Sequence, residues 1–225
     1  RGCVAEKTRG PQAPKRGVPV PDLLPARPTL ATVRRTAASC KACDLYLRGT
    51  QTVFGEGPSR AKIMLVGEQP GDAEDTAGHP FVGPAGRLLD RALEDAGIAR
   101  REVYLTNVVK HFKWEPRGKR RIHAKPNASE VGACRPWLET EIALVKPRIL
   151  VCLGATAAQA LLGKSFRVSK QRGERVSSPL APIVMATVHP SSILRAPDEA
   201  ARRDEMARFV ADLKKVAAAG SRTGE

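Results

Sequence analysis

Apolar positions along this chain come in two alternating rhythms. Short apolar runs, of the kind that make strands buried on both faces, cover residues 61–67, 103–107, 148–154 and 182–188. Between them, apolar residues recur at helical spacing. Leu88, Leu89, Ala92 and Leu93 share one side of a helix expected over 84–96, with Pro84 suited to its first turn and Gly97 to its end. Further helices are expected over 130–145, over 155–162, and from Pro197-Asp198-Glu199 to near residue 218. Strands alternating with helices give an α/β fold: a three-layer α/β/α sandwich around a central, mostly parallel four-stranded sheet. Open sheets of this kind place ligands at the carboxyl ends of their strands.

Two stretches follow neither rhythm. Residues 1–30 are rich in Pro, Arg and Lys and are expected to form a flexible tail, leaving one domain over 31–220. Residues 111–129 are polar and basic, and read as a loop of a length usually kept for function.

Charge narrows the choice of partner. Lys and Arg number 38 against 23 Asp and Glu, a net charge of +15 spread along the whole chain. Such an excess draws polyanions or acidic membranes, and does not by itself separate DNA from RNA or lipid headgroups. No apolar run is long enough for a membrane span, and the start has no apolar core of a secretory signal. The expected setting is a reducing one, a bacterial cytoplasm, where cysteines serve metals or clusters more than disulfides.

There are five cysteines. Cys40 and Cys43 form a C-x-x-C pair on a short helix or turn; Cys134 lies early in a helix and Cys152 within a strand; Cys3 stands apart in the tail. A tight pair plus two distant thiols can surround tetrahedral zinc or a cubane cluster, and spacing does not choose between them. The competing readings are buried thiols acting as small hydrophobes, and a redox pair, which here lacks the usual βαβ setting.

The strand ends carry a specific resemblance. Gly67-Glu68-Gln69-Pro70-Gly71 followed by Gly78-His79-Pro80-Phe81-Val82-Gly83-Pro84-Ala85-Gly86, then Thr106-Asn107, then His189-Pro190-Ser191-Ser192, resemble in order the active-site motifs of the iron–sulfur uracil-DNA glycosylases. The similarity runs from about Cys40 to Phe209. Two features resemble the subclass called UdgX: Gln69, where a small residue is usual, and the run Lys119-Arg120-Arg121-Ile122-His123.

The resemblance implies a monomeric DNA-repair enzyme acting on uracil-containing DNA, single-stranded or duplex. It also implies a [4Fe–4S] cluster on Cys40, Cys43, Cys134 and Cys152. Uracil must leave the base stack to be cut. By the resemblance, Phe81 would stack on it, although a core phenylalanine is the competing reading. The amide of Asn107 offers the donors and acceptor that N3–H and O4 require, unless it serves a turn. Gly67 would let the backbone approach the base. His189 would stabilise the leaving anion. Glu68 would act on the sugar cation or on the nucleophile, and Gln69 would position the nucleophile or bond the base. Ser191 and Ser192 would meet DNA phosphates or cap a helix, and Lys119, Arg120 and Arg121 would hold phosphates. His123 would attack the abasic sugar and stay bonded to it, where water would give ordinary turnover. A conventional multiple-turnover glycosylase, and a non-enzymatic nucleic-acid binder with a structural metal, are the alternatives.

Overall fold

The central sheet holds five strands: β1 (Ile63–Gly67), β2 (Val103–Asn107), β5 (Ile149–Leu153), β6 (Arg175–Val176) and β7 (Ile183–Thr187), while β3 (Trp114–Arg117) and β4 (Arg120–His123) pair separately. The structure, a computed structural model, describes residues 17–221. The sheet order is β2-β1-β5-β7-β6. The four strands expected from apolar runs are parallel to one another. β6 adds a fifth, two residues long and antiparallel to β7. It contains Arg175 and Val176 and has no apolar run, so nothing in the pattern announced it.

Side chains alternate along each strand between two apolar layers. On one face, Met64, Val66, Leu150 and Cys152 pack under α2 (Leu30–Ala37), α5 (Ala128–Val145) and α6 (Ala155–Leu162). On the other, Leu65, Leu105, Val151 and Leu153 pack under α4 (Pro84–Asp95), α8 (Pro190–Leu194) and α9 (Glu199–Ser221). Both faces are covered, which gives the three layers of an α/β/α sandwich. The helix ends follow local chemistry. Pro84 opens α4, and Gly97, at φ 72°, turns the chain away from its end. Asn127 caps α5 by accepting from the N–H of Glu130, whose carboxylate accepts in turn from the N–H of Asn127.

Two expectations differ from what is seen. Within 111–129, β3 and β4 form an antiparallel hairpin that pairs Trp114 with His123. Within 17–30, expected as part of a tail, α1 (Val20–Leu23) packs against α5 and Val20 is buried. Residues 1–16, with Cys3, lie outside the described residues.

The topology locates the site. From β1 the chain passes to β2 on one side, and β5 pairs with β1 on the other. A crevice opens where neighbouring parallel strands send their connections to opposite sides. Glu68 leaves β1 at this crevice and Gly154 leaves β5 beside it.

Candidate active site

A cavity of about 880 Å³ lies over the carboxyl ends of the strands. Glu68 and Gln69 enter it from β1, Asn107 from β2, Thr156 from α6, His189 from the end of β7, and His123 from the hairpin. Phe81, Ser191 and Ser192 line it as well.

Its floor is built by close approach. Phe81 is buried and holds φ at 57°, a left-handed conformation that a phenylalanine rarely adopts. The surroundings enforce it. The Phe81 main chain presses on Gly86, where a Cβ would collide with the Phe81 carbonyl. Glu74, on α3 (Asp72–Ala77), takes the Gly83 N–H on Oε1 at 2.8 Å and the Gly71 N–H on Oε2 at 3.1 Å, so one buried carboxylate ties the two glycine turns together. Asn107 and the Phe81 ring both lie over Gly67; a Cβ there would stand 2.7 Å from Phe81 Cζ and would also strike Asn107 Oδ1. Only glycine leaves room for both.

His189 faces the Phe81 ring, centroid to centroid 6.1 Å. Its Nδ1 accepts from the Ser191 N–H at 3.1 Å and lies 2.8 Å from Ser191 Oγ. An N–H can only donate, so Nδ1 carries no proton and the neutral ring bears its hydrogen on Nε2. Burial pushes the imidazole down to about 4, against the opposing pull of Glu68. The ring is therefore neutral at pH 7. Ser192 Oγ donates to the His189 carbonyl at 2.7 Å. Both serine hydroxyls thus shape the first turn of α8, while their side chains border the cavity.

The hairpin is fixed at its base and middle. The buried amide of Gln69 donates to the carbonyls of Lys113 and Ala124, each at 3.1 Å, and accepts from the Lys113 N–H at 3.1 Å. Both hydrogens are used on the two feet of the hairpin, so Gln69 positions the element that carries His123 and has no donor left for a base. Arg121 departs from its expected place on phosphates. Its guanidinium pairs with Asp72 at 2.5 Å and Asp75 at 2.6 Å, and lies 5.5 Å and 5.7 Å from the rings of Phe112 and Trp114. It strengthens the hairpin instead. Lys119 and Arg120 are exposed at the turn of the hairpin, where Gly118 takes φ 60°.

His123 Nε2 stands 3.2 Å from Glu68 Oε1. Thr156 Oγ1 donates to the other oxygen of the same carboxylate. Burial alone would raise Glu68, but the hydrogen bonds from His123 and Thr156 outweigh it and hold the carboxyl below its ordinary value. Glu68 is thus ionised at neutral pH and accepts the Nε2 proton.

The cysteines divide. Cys40, Cys43 and Cys134 lie close enough to feel one another's charge. Trp137 Nε1 donates to Cys40 Sγ at 3.3 Å, and the Lys110 N–H donates to Cys134 Sγ at 3.2 Å. Cys152, expected as a fourth ligand, faces the core from β5, between Val66 and Ala186. Burial alone raises its thiol, with no contribution from the other three. Its strand is separated from β2 by β1, a lateral offset of roughly 10 Å. Among the described residues, no three His, Cys, Asp or Glu side chains gather tightly enough for a single metal ion.

His111 stands beside the three-cysteine group. It follows Lys110, whose N–H reaches Cys134, and its side chain packs against Gly49. Thr52 Oγ1 donates to the Ala37 carbonyl that also receives the Cys40 N–H, so toward His111 Nε2, at 3.1 Å, it accepts. The proton therefore sits on Nε2 and the lone pair on Nδ1. Burial pushes His111 down to about 4, opposed in part by Asp75. Sequence reasoning passed over His111 as a ligand, along with Glu74, Thr156 and the buried pair Lys110–Glu141. His111, Thr156 and Lys110–Glu141 act through partners distant in sequence, and Glu74 through the N–H groups of two glycines; residue type alone gives no sign of either.

The chain was compared with known proteins. Residues 54–214 match the family model described as the uracil DNA glycosylase superfamily. The chain is 39% identical over 179 residues to a type-4 uracil-DNA glycosylase of Thermotoga maritima, covering 79% of this chain and 87% of that protein. It is 38% identical to a type-4 enzyme of Pyrobaculum aerophilum, covering 71% and 81%, and 34% identical to one of Archaeoglobus fulgidus, covering 84% and 92%. Fold, matched length and relatives agree that the chain belongs to the uracil-DNA glycosylase superfamily.

Proposed function

We propose that the protein is a DNA-repair enzyme that excises uracil from single-stranded or duplex DNA, and that His123 then bonds to the abasic sugar, so that each molecule acts once. The contact between His123 and Glu68 inside the cavity carries this reading. An imidazole lines the cavity beside a carboxylate that can take its proton. The names of the type-4 relatives support uracil excision.

The proposed steps use the residues gathered in the cavity. A flipped uracil stacks on Phe81, and the Asn107 amide pairs with N3–H and O4; cytosine offers the opposite donor and acceptor there. The C1′–N1 bond breaks and its electron pair leaves on uracil. The Nε2–H of neutral His189 donates to O2, where that charge gathers. Ionised Glu68 stabilises the sugar cation. The His123 ring adds to C1′ through its lone pair, and its N–H proton passes to Glu68. Lys119 and Arg120 at the hairpin turn engage phosphates.

The basic hairpin belongs to a single catalytic domain, expected over 31–220 and extended by α1, which packs on α5. A [4Fe–4S] cluster is assigned to Cys40, Cys43 and Cys134, with His111 through Nδ1 in place of Cys152. The indole N–H on Cys40 and the Lys110 N–H on Cys134 are donors of the kind that brace the thiolates of a cluster. When bound, it would tie the segment after α2 to α5 and to the turn after β2.

The test is a denaturing gel of the protein with a labelled uracil-containing strand. A band shifted by the mass of the protein, stable to heat and saturating at one DNA per protein, supports the reading. Alkali-labile product formed in excess over protein, without that band, means a conventional glycosylase. No product at all, with the protein folded, points to the non-enzymatic binder.

A further inference from the structure

A buried polar cluster lies between the candidate uracil reader and the cysteine group. Lys110 is 1% exposed and Glu141 is 0% exposed, and their side chains form an ion pair. Glu141 Oε1 also accepts from the Gly55 N–H at 2.9 Å and from the Tyr104 hydroxyl at 3.0 Å, and its carboxylate accepts from Thr106. The Lys110 ammonium donates to Thr106 Oγ1 at 2.6 Å and to the Asn107 carbonyl at 2.7 Å. At the other end of the same residue, the main-chain N–H meets Cys134 Sγ. The Lys110 carbonyl accepts from the Val53 N–H at 2.7 Å.

We propose that Lys110 is a positioning residue for base recognition: its ammonium, braced by Glu141, sets the Asn107 main chain, while its own main chain is anchored on Cys134. β2 is an edge strand and ends at Asn107, just where the side chain enters the cavity. The peptide that follows Asn107 is held from both ends: its N–H, on Val108, donates to the Gly67 carbonyl at 2.9 Å, and its carbonyl accepts from the Lys110 ammonium, so the Lys110 contact fixes the side that the neighbouring strand leaves free. A buried ammonium with three oxygen partners allows one geometry. A charge left unpaired at this depth would be costly, so the pair moves as a unit or stays in place. Lys110 thus links the selectivity of the pocket to the integrity of the cysteine group.

The inference rests on Asn107 as the uracil reader, and the experiment separates the two. The full chain is purified with its cofactor, and single-turnover excision is followed against protein concentration. The double substitution Lys110→Met with Glu141→Gln removes both charges at near-constant volume, which avoids a stranded carboxylate. The expected result is a half-saturating concentration raised about 10-fold with a limiting rate changed less than about 3-fold, and visible absorbance retained. Placed on Asn107→Ala, the same pair should cost nothing further in saturation. Thr106→Val serves if the double variant does not fold; it removes one oxygen from the ammonium and should move saturation in the same direction. Equal losses with and without Asn107 would mean a general structural role and overturn the proposal, as would unchanged saturation. If Asn107→Ala alone leaves saturation unchanged, it is the assignment of Asn107 that fails.

Discussion

Glu68 and His123 come from opposite walls of the cavity, one from the end of β1 and one from the hairpin, and meet at 3.2 Å. Glu68 is braced from its other side by Thr156, so the carboxylate is aimed before any substrate arrives. His123→Ala should remove the heat-stable DNA adduct completely. Excision itself should persist within about 10-fold, now with product in excess over enzyme, because water fills the vacated space. Persistence of the adduct on the gel would show that another residue is the nucleophile.

Gly67→Ala tests the floor of the pocket. The added methyl would stand 2.7 Å from the Phe81 ring, well inside van der Waals contact. The ring and the Asn107 amide must then move apart. Displacements near 1 Å at a reacting centre cost about 100-fold. The expected outcome is a loss of that order in excision rate with the thermal transition nearly unchanged. A rate near that of the parent would mean that Phe81 does not stack on the base.

His189 sets a pH dependence. Its pKa in the fold is about 4, below the ordinary histidine value. Excision should be insensitive to His189 between pH 8 and pH 6 and should fall as pH approaches 4. Protonating Glu68, itself held low, acts in the same direction. Stability changes with the same sign. As acid is added, the unfolded chain takes the histidine proton first, so the contribution is whole above about pH 6.5 and is lost between there and about pH 4. A titration of excision rate with a midpoint near 6.5 that vanishes in His189→Gln would contradict the neutral assignment.

The cysteine group makes a comparison of two single variants informative. Cys152→Ala should keep the visible absorbance of the purified protein and cost roughly 1 kcal/mol of core packing. His111→Ala should lower iron content and absorbance together. If Cys152→Ala is the one that loses iron, the four-thiol set is restored and His111 serves only Thr52 and Gly49.

Much of this architecture was legible because it is written locally. Each parallel strand is an apolar run ended by a polar turn, and Pro84, Gly97 and Asn127 mark helix ends by their own chemistry. The cavity gathers Glu68, Gln69, Asn107 and His189 from strand ends, Phe81 from a glycine-flanked turn and His123 from the hairpin, all segments that stood out in the pattern. What stayed hidden depends on distant partners. The hairpin looks like a polar loop because Arg121 is held by Asp72 and Asp75, far back in the chain. Cys152 was expected among the cluster ligands by resemblance; it shares the apolar layer of Cys40 and Cys134, but its register places it between Val66 and Ala186, which the sequence does not reveal. Gln69 was open to two roles, positioning the nucleophile or bonding the base, and only its distant contacts with Lys113 and Ala124 tie it to the hairpin that carries His123.

That engagement bears on how the reaction ends. In the proposed reaction, once uracil has left, the sugar cation is open to any nucleophile within reach, and water is abundant. An imidazole on a loose loop would rarely be in place when the cation forms. Here the ordering entropy of the loop has been surrendered during folding, through the Gln69 amide and the Arg121 guanidinium. A group held this way competes as if present at about 10⁵ M or more, far above the concentration of the solvent. Under the proposed mechanism, the branching between a released product and a permanent adduct is set by the stiffness of the hairpin.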